Sequence, residues 1–207
     1  MALIKELHIG KGRLLLWEIT EELEWLKTQF PELADDPTFK ALKNLKRQKE
    51  WLTIKMMLKL IGCKDFRVRY NENGKPHINH HYYGHVSISH SHTLAGIFVH
   101  PDYTVGLDIE SFNRDFIFVE KKYLSPTELK TAYEEENGHC LFWCAKEAVY
   151  KLVGIPGLHF STQIELSMNG DYTILARLKG TETERNYLLN YFEFMEHYVV
   201  YLIDREQ

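Results

Sequence analysis

The stretch Val105-Gly-Leu-Asp-Ile-Glu110 places two carboxylates in a predicted strand near the middle of the chain. Successive side chains of a strand point to opposite faces, so Asp108 and Glu110 share one face while Leu107 and Ile109 turn toward the core. Neighbouring carboxylates repel each other unless a cation or a proton lies between them. The pair therefore predicts either a Mg²⁺ site, because Mg²⁺ takes carboxylates together with substrate phosphates, or two solvated acids at a strand end.

A second stretch, FWCAKEAVYKL from Phe142 to Leu152, predicts a helix that ends at Gly154. Trp143, Glu147 and Lys151 recur every four residues and so share one helix face. One interpretation is an ordinary Glu–Lys surface pair, worth a few tenths of a kcal/mol. The strongly apolar flanks favour the other interpretation, a partly buried acid–base pair.

The rest of the chain alternates between helical and strand patterns. Helices are predicted over 20–29 and 39–61, with Gly62 as a stop, and Ser125-Pro-Thr-Glu128 opens another helix. Strands are predicted within 1–20, with an end near Ile19, and over 66–70, 85–90, 94–99, 103–110, 164–168, 172–178 and 187–203. Pro31 and Pro37 are expected to end the first helix. The order strand–helix–helix–strands occurs twice, which predicts two similar α+β halves meeting near residue 103.

Composition sets the class of protein. The chain has 207 residues, of which 44% are hydrophobic and 26% charged, as in ordinary globular proteins. Its net charge of −4 and the lack of a basic stripe argue against a dedicated nucleic-acid binder. Cys63, Cys140 and Cys144 do not form a disulfide framework, although the last two could ligate a metal or lie buried. No apolar run is long enough for secretion or a membrane span, so a cytoplasmic location is expected.

Histidines concentrate in HINHHYYGHVSISHSH, residues 77–92, which holds six of the chain's eleven. Imidazole is a common metal ligand, so a histidine-metal protein is one alternative. Against it, the run lacks ligand pairs spaced with cysteine and a HExxH helix. In the strand over 85–90, Val86 and Ile88 are expected on one face, with Ser87, Ser89 and the histidines on the other.

Together the first two stretches resemble the signature of the 4′-phosphopantetheinyl transferase superfamily, (V/I)G(V/I/L)D followed by (F/W)(S/C/T)xKE(A/S)xxK. Here it reads Val105-Gly-Leu-Asp108 and Trp143-Cys-Ala-Lys-Glu-Ala-Val-Tyr-Lys151, with Glu147 placed 39 residues after Asp108. Three further segments resemble the family in the same order: Gly74-Lys-Pro76, Ser87-Ile-Ser-His90 and Ser125-Pro-Thr-Glu128. The resemblance covers roughly residues 40–160.

The resemblance implies an α+β fold of two similar α/β subdomains in a pseudo-twofold arrangement. Residues 1–103 would recognise the nucleotide of coenzyme A, and residues 104–207 would carry the Mg²⁺-binding and catalytic motifs. The length resembles the surfactin-synthetase-activating type, which implies a monomer. The implied activity is Mg²⁺-dependent transfer of 4′-phosphopantetheine from coenzyme A to a serine of an apo acyl or peptidyl carrier protein, releasing adenosine 3′,5′-bisphosphate.

The resemblance also implies roles for individual residues. Mg²⁺ would be held by Asp108, Glu110 and Glu147, with Glu147 as the proposed base and Lys151 on the phosphates. Coenzyme A would be contacted at its adenine by Gly74, Lys75 and Pro76, at its phosphates by Ser89 and His90, and at its 3′-phosphate by Arg47 or Lys46.

Three alternatives stay open. Arg47 could lie on a solvated helix face. The aromatic side chains of the loop 112–124 could dock the carrier or belong to the core. The chain could also be a non-catalytic relative that only binds coenzyme A or a carrier protein.

Overall fold

The computed structural model describes residues 3–180 and 184–205. Its first half contains the strands β1 (Leu3–Ile9), β2 (Gly12–Glu18), β3 (Val68–Tyr70), β4 (Pro76–Ile78), β5 (His85–His90) and β6 (Leu94–His100). The helices of this half are α1 (Leu23–Thr28), α2 (Pro37–Ala41) and α3 (Leu45–Leu60), with a 3₁₀ turn at Pro31–Leu33.

The second half contains the strands β7 (Thr104–Ser111), β8 (Ile164–Met168), β9 (Thr173–Leu178), β10 (Arg185–Phe194) and β11 (His197–Asp204). Its helices are α4 (Glu120–Tyr123), α5 (Pro126–Glu134), α6 (Gly138–Val153) and α7 (Phe160–Gln163), with a 3₁₀ turn at Ile117–Val119. The mixed α+β class predicted from the sequence is confirmed.

The strands form two main antiparallel sheets, ordered β1-β2-β6-β5 and β7-β11-β10-β9-β8, and a small β3-β4 hairpin. Along β2, Leu15 and Trp17 pack toward the core that contains α3, while Leu14 and Leu16 pack against β7 and β11. The first sheet is therefore buried on both faces, which explains why β2 is apolar without alternation. A separate core lies between α6 and the second sheet.

The helix predicted over 39–61 is wrong as a single element. The chain leaves the helix after Ala41, and α3 begins anew behind Asn44, whose side chain accepts hydrogen bonds from the N–H groups of Lys46 and Arg47 at 2.8 and 3.4 Å. Pro37 begins α2 instead of ending a helix, because proline is well tolerated at the first helical position. The predicted stop at Gly62 is confirmed by its φ of 84°.

The strand predicted over 187–203 is two strands, β10 and β11, joined at Met195 and Glu196. Both turn residues have positive φ, 49° and 58°, which is uncommon for side chains larger than glycine. Since the turn residues are Met and Glu, the sequence lacks the Asn-Gly pair that usually marks such a hairpin. The strand predicted over 66–70 begins only at Val68, since Phe66 has a φ of 52°.

The predicted division near residue 103 falls in the turn between β6 and β7. The first half opens with the hairpin β1-β2 instead of one strand, and its sheet has four strands against five in the second. The pseudo-twofold relation and the roles of the two halves stay predictions. Among the residues described, no helix combines the length and apolar character needed to cross a membrane.

Candidate active site

Gly106 brings helix α6 close to strand β7. A Cβ at this position would collide with the backbone oxygen of Ala148 and the side chain of Leu202, so only glycine permits the approach. At the other end of the helix, Gly154 adopts a φ of 65° and donates its N–H to Tyr150 O at 2.8 Å, which ends α6. The helix face that carries Trp143, Glu147 and Lys151 therefore packs beside Asp108 and Glu110 of β7.

Asp108 is buried, with 4% of its surface exposed, so the alternative of two solvated acids is wrong for this residue. Its Oδ1 accepts hydrogen bonds from Ser89 Oγ at 2.8 Å and from Lys151 Nζ at 2.6 Å. Its Oδ2 is buried without a hydrogen-bond partner. The carboxylate therefore joins β5, β7 and α6, and it keeps one oxygen free for a further ligand.

Glu110 lies farther along the same strand face and is mostly buried. Trp143 donates its indole N–H to Glu110 Oε1 at 3.0 Å, and Arg114 forms an ion pair with the same oxygen. Burial raises the pKa of Glu110, and the neighbouring Asp108 adds to the rise. The predicted face of α6 is thus confirmed at both ends, because Trp143 contacts Glu110 and Lys151 contacts Asp108.

Glu147 lies on α6 between these two contacts. Burial raises its pKa to about 7, with Asp108 adding to the rise and Lys151 opposing it. Asp108 and Glu110 both act on the charge of Glu147, so the three acids form one electrostatic group. Their mutual repulsion is the condition that a cation would relieve.

The three acids do not form a ready coordination shell. Across residues 3–180 and 184–205, no three His, Cys, Asp or Glu side chains stand close enough together to hold a metal ion. The donor set nevertheless fits Mg²⁺, because all three groups offer oxygen and Asp108 Oδ2 is a buried acceptor without a partner.

His90 and Arg47, which the resemblance implies as coenzyme A ligands, lie next to each other on the first half. Arg47 Nη1 lies 3.5 Å from His90 Nε2 and donates to Glu50 Oε2 at 3.0 Å. Glu50 is buried and lies 3.6 Å from His90 Nδ1. Burial lowers the pKa of His90, and Arg47 contributes to the same direction. Arg47 is more than half exposed, so its guanidinium is available to an anion.

A cavity of about 660 Å³ opens beside this group and contains a residue that the sequence reasoning missed. Lys55 is only 5% exposed, and its ammonium lies 4.3 Å from the centre of the Trp51 ring. Burial lowers the pKa of Lys55 to about 8. Arg67, Arg69 and Tyr70 line the same cavity. The spacing of Trp51 and Lys55, one helical turn apart, is the sequence signal that could have indicated the contact.

The turn of Gly74, Lys75 and Pro76 lies against the end of α6. Lys75 donates from Nζ to Leu152 O at 2.8 Å, and Gly74 has a φ of 77°. The three residues share with Lys151 a recess of about 70 Å³. Their predicted contact with adenine stays a prediction.

A cavity of about 810 Å³ links the two halves. It shares Arg47, Glu50 and His90 with the cavity around Lys55, and it reaches Glu110 and Arg114 on the second half. Arg47, Glu50 and His90 therefore lie between the cavity around Lys55 and Glu110 of β7.

Lys146 and Glu128, which the sequence reasoning left without a role, form a fully buried ion pair at 2.8 Å. Lys146 Nζ also donates to the carbonyl oxygens of Phe160 and Ile164 at 2.9 and 2.7 Å. Glu128 accepts from the backbone N–H groups of Ser125 and Leu166, at 2.7 and 2.8 Å. The segment Ser125–Glu128 and the lysine next to Glu147 are therefore structural: they fix α5, α6 and β8 together.

The histidines of residues 77–92 do not converge. His80 Nδ1 accepts from the N–H groups of Tyr82 and Tyr83, both at 3.0 Å, and Nε2 lies 2.8 Å from Ile61 O. His80 thus stabilises a turn. Among the described residues of this stretch, no three histidines stand close enough together to hold a metal ion.

The aromatic side chains of the loop 112–124, for which either the core or carrier docking was left open, differ in burial. Phe116 and Tyr123 are buried in the core and pack around Trp143. Ile117 and Phe118 instead lie 53% and 89% exposed.

Comparison with known proteins agrees with this geometry. Residues 104–203 match the family model of the 4′-phosphopantetheinyl transferase superfamily, a segment that contains Asp108, Glu110, Glu147 and Lys151. The chain therefore carries a domain of the 4′-phosphopantetheinyl transferase superfamily. Members of this superfamily transfer phosphopantetheine from coenzyme A to carrier proteins, which supports a transferase activity. A search of curated proteins found no match to the chain.

Proposed function

We propose that this protein transfers 4′-phosphopantetheine from coenzyme A to a serine of an apo acyl or peptidyl carrier protein, with Mg²⁺. The observation that carries the proposal is the arrangement of the two cavities at His90. A cavity lined by the buried Lys55 and by the aromatic rings of Trp51 and Tyr70 adjoins, at Arg47 and His90, a second cavity that reaches Glu110 of β7. Such an arrangement suits a substrate with a phosphorylated nucleoside at one end and a reacting pyrophosphate in the middle.

The nucleotide end of coenzyme A belongs in the cavity around Lys55. Its volume of about 660 Å³ lies within the range of small-molecule sites. Trp51 and Tyr70 offer aromatic surface for the base, and Lys55, Arg67 and Arg69 offer positive charge for the 3′-phosphate. At the mouth of the cavity, Arg47 and His90 are placed to donate to the pyrophosphate.

The acids of the second half would hold the metal. Asp108, Glu110 and Glu147 are the candidate ligands of Mg²⁺, which supplies charge neutralisation on the phosphates when bound. Lys151 is 27% exposed, so its ammonium can reach a phosphate while it remains next to Asp108. Lys151 would therefore bind the pyrophosphate as a point charge.

The transfer balances as a displacement at phosphorus. The serine oxygen of the carrier attacks the β-phosphorus of coenzyme A, and the bond from this phosphorus to the bridging oxygen breaks. Adenosine 3′,5′-bisphosphate leaves with that electron pair. The serine proton passes to a base, for which Glu147 is our candidate because it lies among the metal-binding acids. Positioning and electrostatic stabilisation supply most of the rate, as in phosphoryl transfer generally.

The exposed pair Ile117 and Phe118 is the proposed docking point for the carrier protein. Lys121 and Lys122 follow on α4, so an apolar contact lies beside positive charge. A carrier that is acidic around its serine, as the family resemblance implies, would complement this surface. The protein itself would act as a monomer.

The test is incubation with coenzyme A, Mg²⁺ and an apo carrier, after which the carrier is weighed. The proposal is supported if the carrier gains the mass of one phosphopantetheine group in the complete reaction and keeps its original mass when Mg²⁺ is chelated. Unmodified acyl and peptidyl carriers would instead indicate the non-catalytic relative.

A further inference from the structure

Two edge strands, β5 of the first sheet and β7 of the second, meet through serine hydroxyls. Ser87 Oγ accepts the N–H of Leu107 at 3.0 Å, and Ser89 Oγ accepts the N–H of Ile109 at 3.1 Å. Both serines are buried. The hydroxyls thus take the place of a backbone ladder between two sheets that are not paired to each other.

The row continues beyond the end of β5. Ser91 Oγ lies 2.7 Å from Nε2 of His197, the residue that pairs with Ser111 of β7 across the second sheet. Because Nδ1 of His197 faces Met195 O and must donate to it, Nε2 accepts from the Ser91 hydroxyl. We call Ser87, Ser89 and Ser91 the serine row. It joins the two halves, and its member Ser91 also lines the cavity between them.

Ser89 differs from the other members because it also contacts charged groups. Its hydroxyl donates to Asp108 Oδ1 at 2.8 Å and accepts from Lys151 Nζ at 2.9 Å. With the N–H of Ile109, these bonds use its one donor and both of its acceptor sites. A phosphate of coenzyme A could bind Ser89 only by displacing one of them.

The strand geometry separates Ser89 from His90. Consecutive side chains of β5 point to opposite faces, so Ser89 turns toward β7 while His90 turns toward Arg47 and Glu50 on α3. The expectation that the histidines share the face of Ser87 and Ser89 is therefore wrong for His90.

We propose that Ser89 is a positioning residue, which orients Asp108 and Lys151 toward the reacting phosphates, and not a ligand of coenzyme A. Ser89 holds Oδ1 of Asp108 and the ammonium of Lys151 in one network, and it leaves Oδ2 of Asp108 without a protein partner. This inference rests on the proposed function for its kinetic consequence.

Ser87 supplies a matched control. It lies on the same strand face, is equally buried and accepts an N–H of β7, but no charged side chain contacts its hydroxyl among the residues described. Ser87→Ala therefore removes the same kind of bond between the halves without touching Asp108 or Lys151. Intrinsic tryptophan fluorescence during urea unfolding would verify that both alanine variants are folded.

The experiment compares Ser89→Ala and Ser87→Ala in two measurements. For Ser89→Ala we expect kcat to fall about tenfold to a hundredfold, with KM for coenzyme A within about twofold, as for other residues that orient metal ligands. Calorimetric Mg²⁺ titration of the protein without substrates should show affinity weakened by a similar factor. Ser87→Ala should retain kcat and Mg²⁺ affinity within about twofold, the change expected when only a neutral structural bond is lost.

Two results would overturn the proposal. One is a raised KM for coenzyme A in Ser89→Ala with kcat and Mg²⁺ affinity unchanged, which would make Ser89 a substrate ligand. The other is an equal loss of kcat in Ser87→Ala, which would make the whole row merely structural. If Ser89→Ala does not fold, Ser89→Cys keeps the side-chain size with a weak hydrogen-bonding group and carries the same expectation. A wild-type protein that modifies no carrier contradicts the proposed function, while the Mg²⁺ titrations still test Ser89.

Discussion

At the scale of single residues, Lys55 shows how burial produces a site. An ammonium in an apolar helix face loses hydration, and only nearby acids such as Asp36 offset that loss. Its contact with the Trp51 ring stabilises the charge further. An anion that enters the cavity would meet a poorly hydrated cation, which favours strong binding.

This environment predicts how nucleotide binding depends on pH. Because the pKa of Lys55 is lowered to about 8, the ammonium is charged below that pH and loses its proton above it. Calorimetry should therefore show the affinity for adenosine 3′,5′-bisphosphate falling by about tenfold between pH 7 and 9.5, roughly the 1.4 kcal/mol expected for one charged contact.

Lys55→Arg is the control for this prediction, since a guanidinium stays charged over the whole range. Its affinity should stay flat where that of the wild type falls. Parallel pH profiles for the two proteins would show that Lys55 does not contact the nucleotide.

At the scale of elements, the pair of Lys146 and Glu128 connects three of them. Each partner also bonds to backbone groups, so both charges are satisfied in a fully buried position. Helix α6 is thereby fixed at the residue next to Glu147. Local order at the face of Glu147 thus depends on a contact that the preceding residue makes from an adjacent face of the helix.

Lys146→Met should lower the free energy of unfolding by about 3–5 kcal/mol, because it leaves a buried carboxylate without its cation. Urea unfolding measures the loss. Lys130→Met is the control: Lys130 is exposed and its pair with Glu134 spans 3.8 Å, so the change should stay within about 0.5 kcal/mol. Equal losses in the two variants would contradict the structural role of Lys146.

The elements also show which structural features could be predicted from the sequence. The spacing of Trp143, Glu147 and Lys151 predicted a shared face, because helical periodicity is a local property. The burial of Lys55 was not predictable in this way, since it depends on the distant β3-β4 segment that closes the cavity. The turn at Met195 and Glu196 was missed because its residues lack the local preference for positive φ.

At the scale of the whole molecule, the two cavities at His90 and the proposed docking point lie on different parts of the chain. Phe118 follows Phe116, which packs against Trp143, by two residues in the sequence, but the ring of Phe118 is exposed. The resemblance to a known family supplied the predicted roles of Asp108 and His90. The assignment of Ser89 required the contact between two sheets, which no local pattern reports.

Phe118→Ser should raise KM for the carrier about tenfold, which corresponds to losing one apolar contact of about 1.4 kcal/mol. KM for coenzyme A should not change, because Phe118 lines neither of the cavities at His90. Tyr172→Ser, at another exposed aromatic, is the control and should leave both constants unchanged. An unchanged KM for the carrier in Phe118→Ser would exclude this docking point.

The central claim is tested most directly by intact-protein mass spectrometry of an apo carrier incubated with coenzyme A and Mg²⁺. The account predicts that the wild-type protein adds one phosphopantetheine group and releases one adenosine 3′,5′-bisphosphate for each carrier. It also predicts that folded Glu147→Gln leaves the carrier mass unchanged. An unmodified carrier with the wild type, or full modification by Glu147→Gln, would contradict the account.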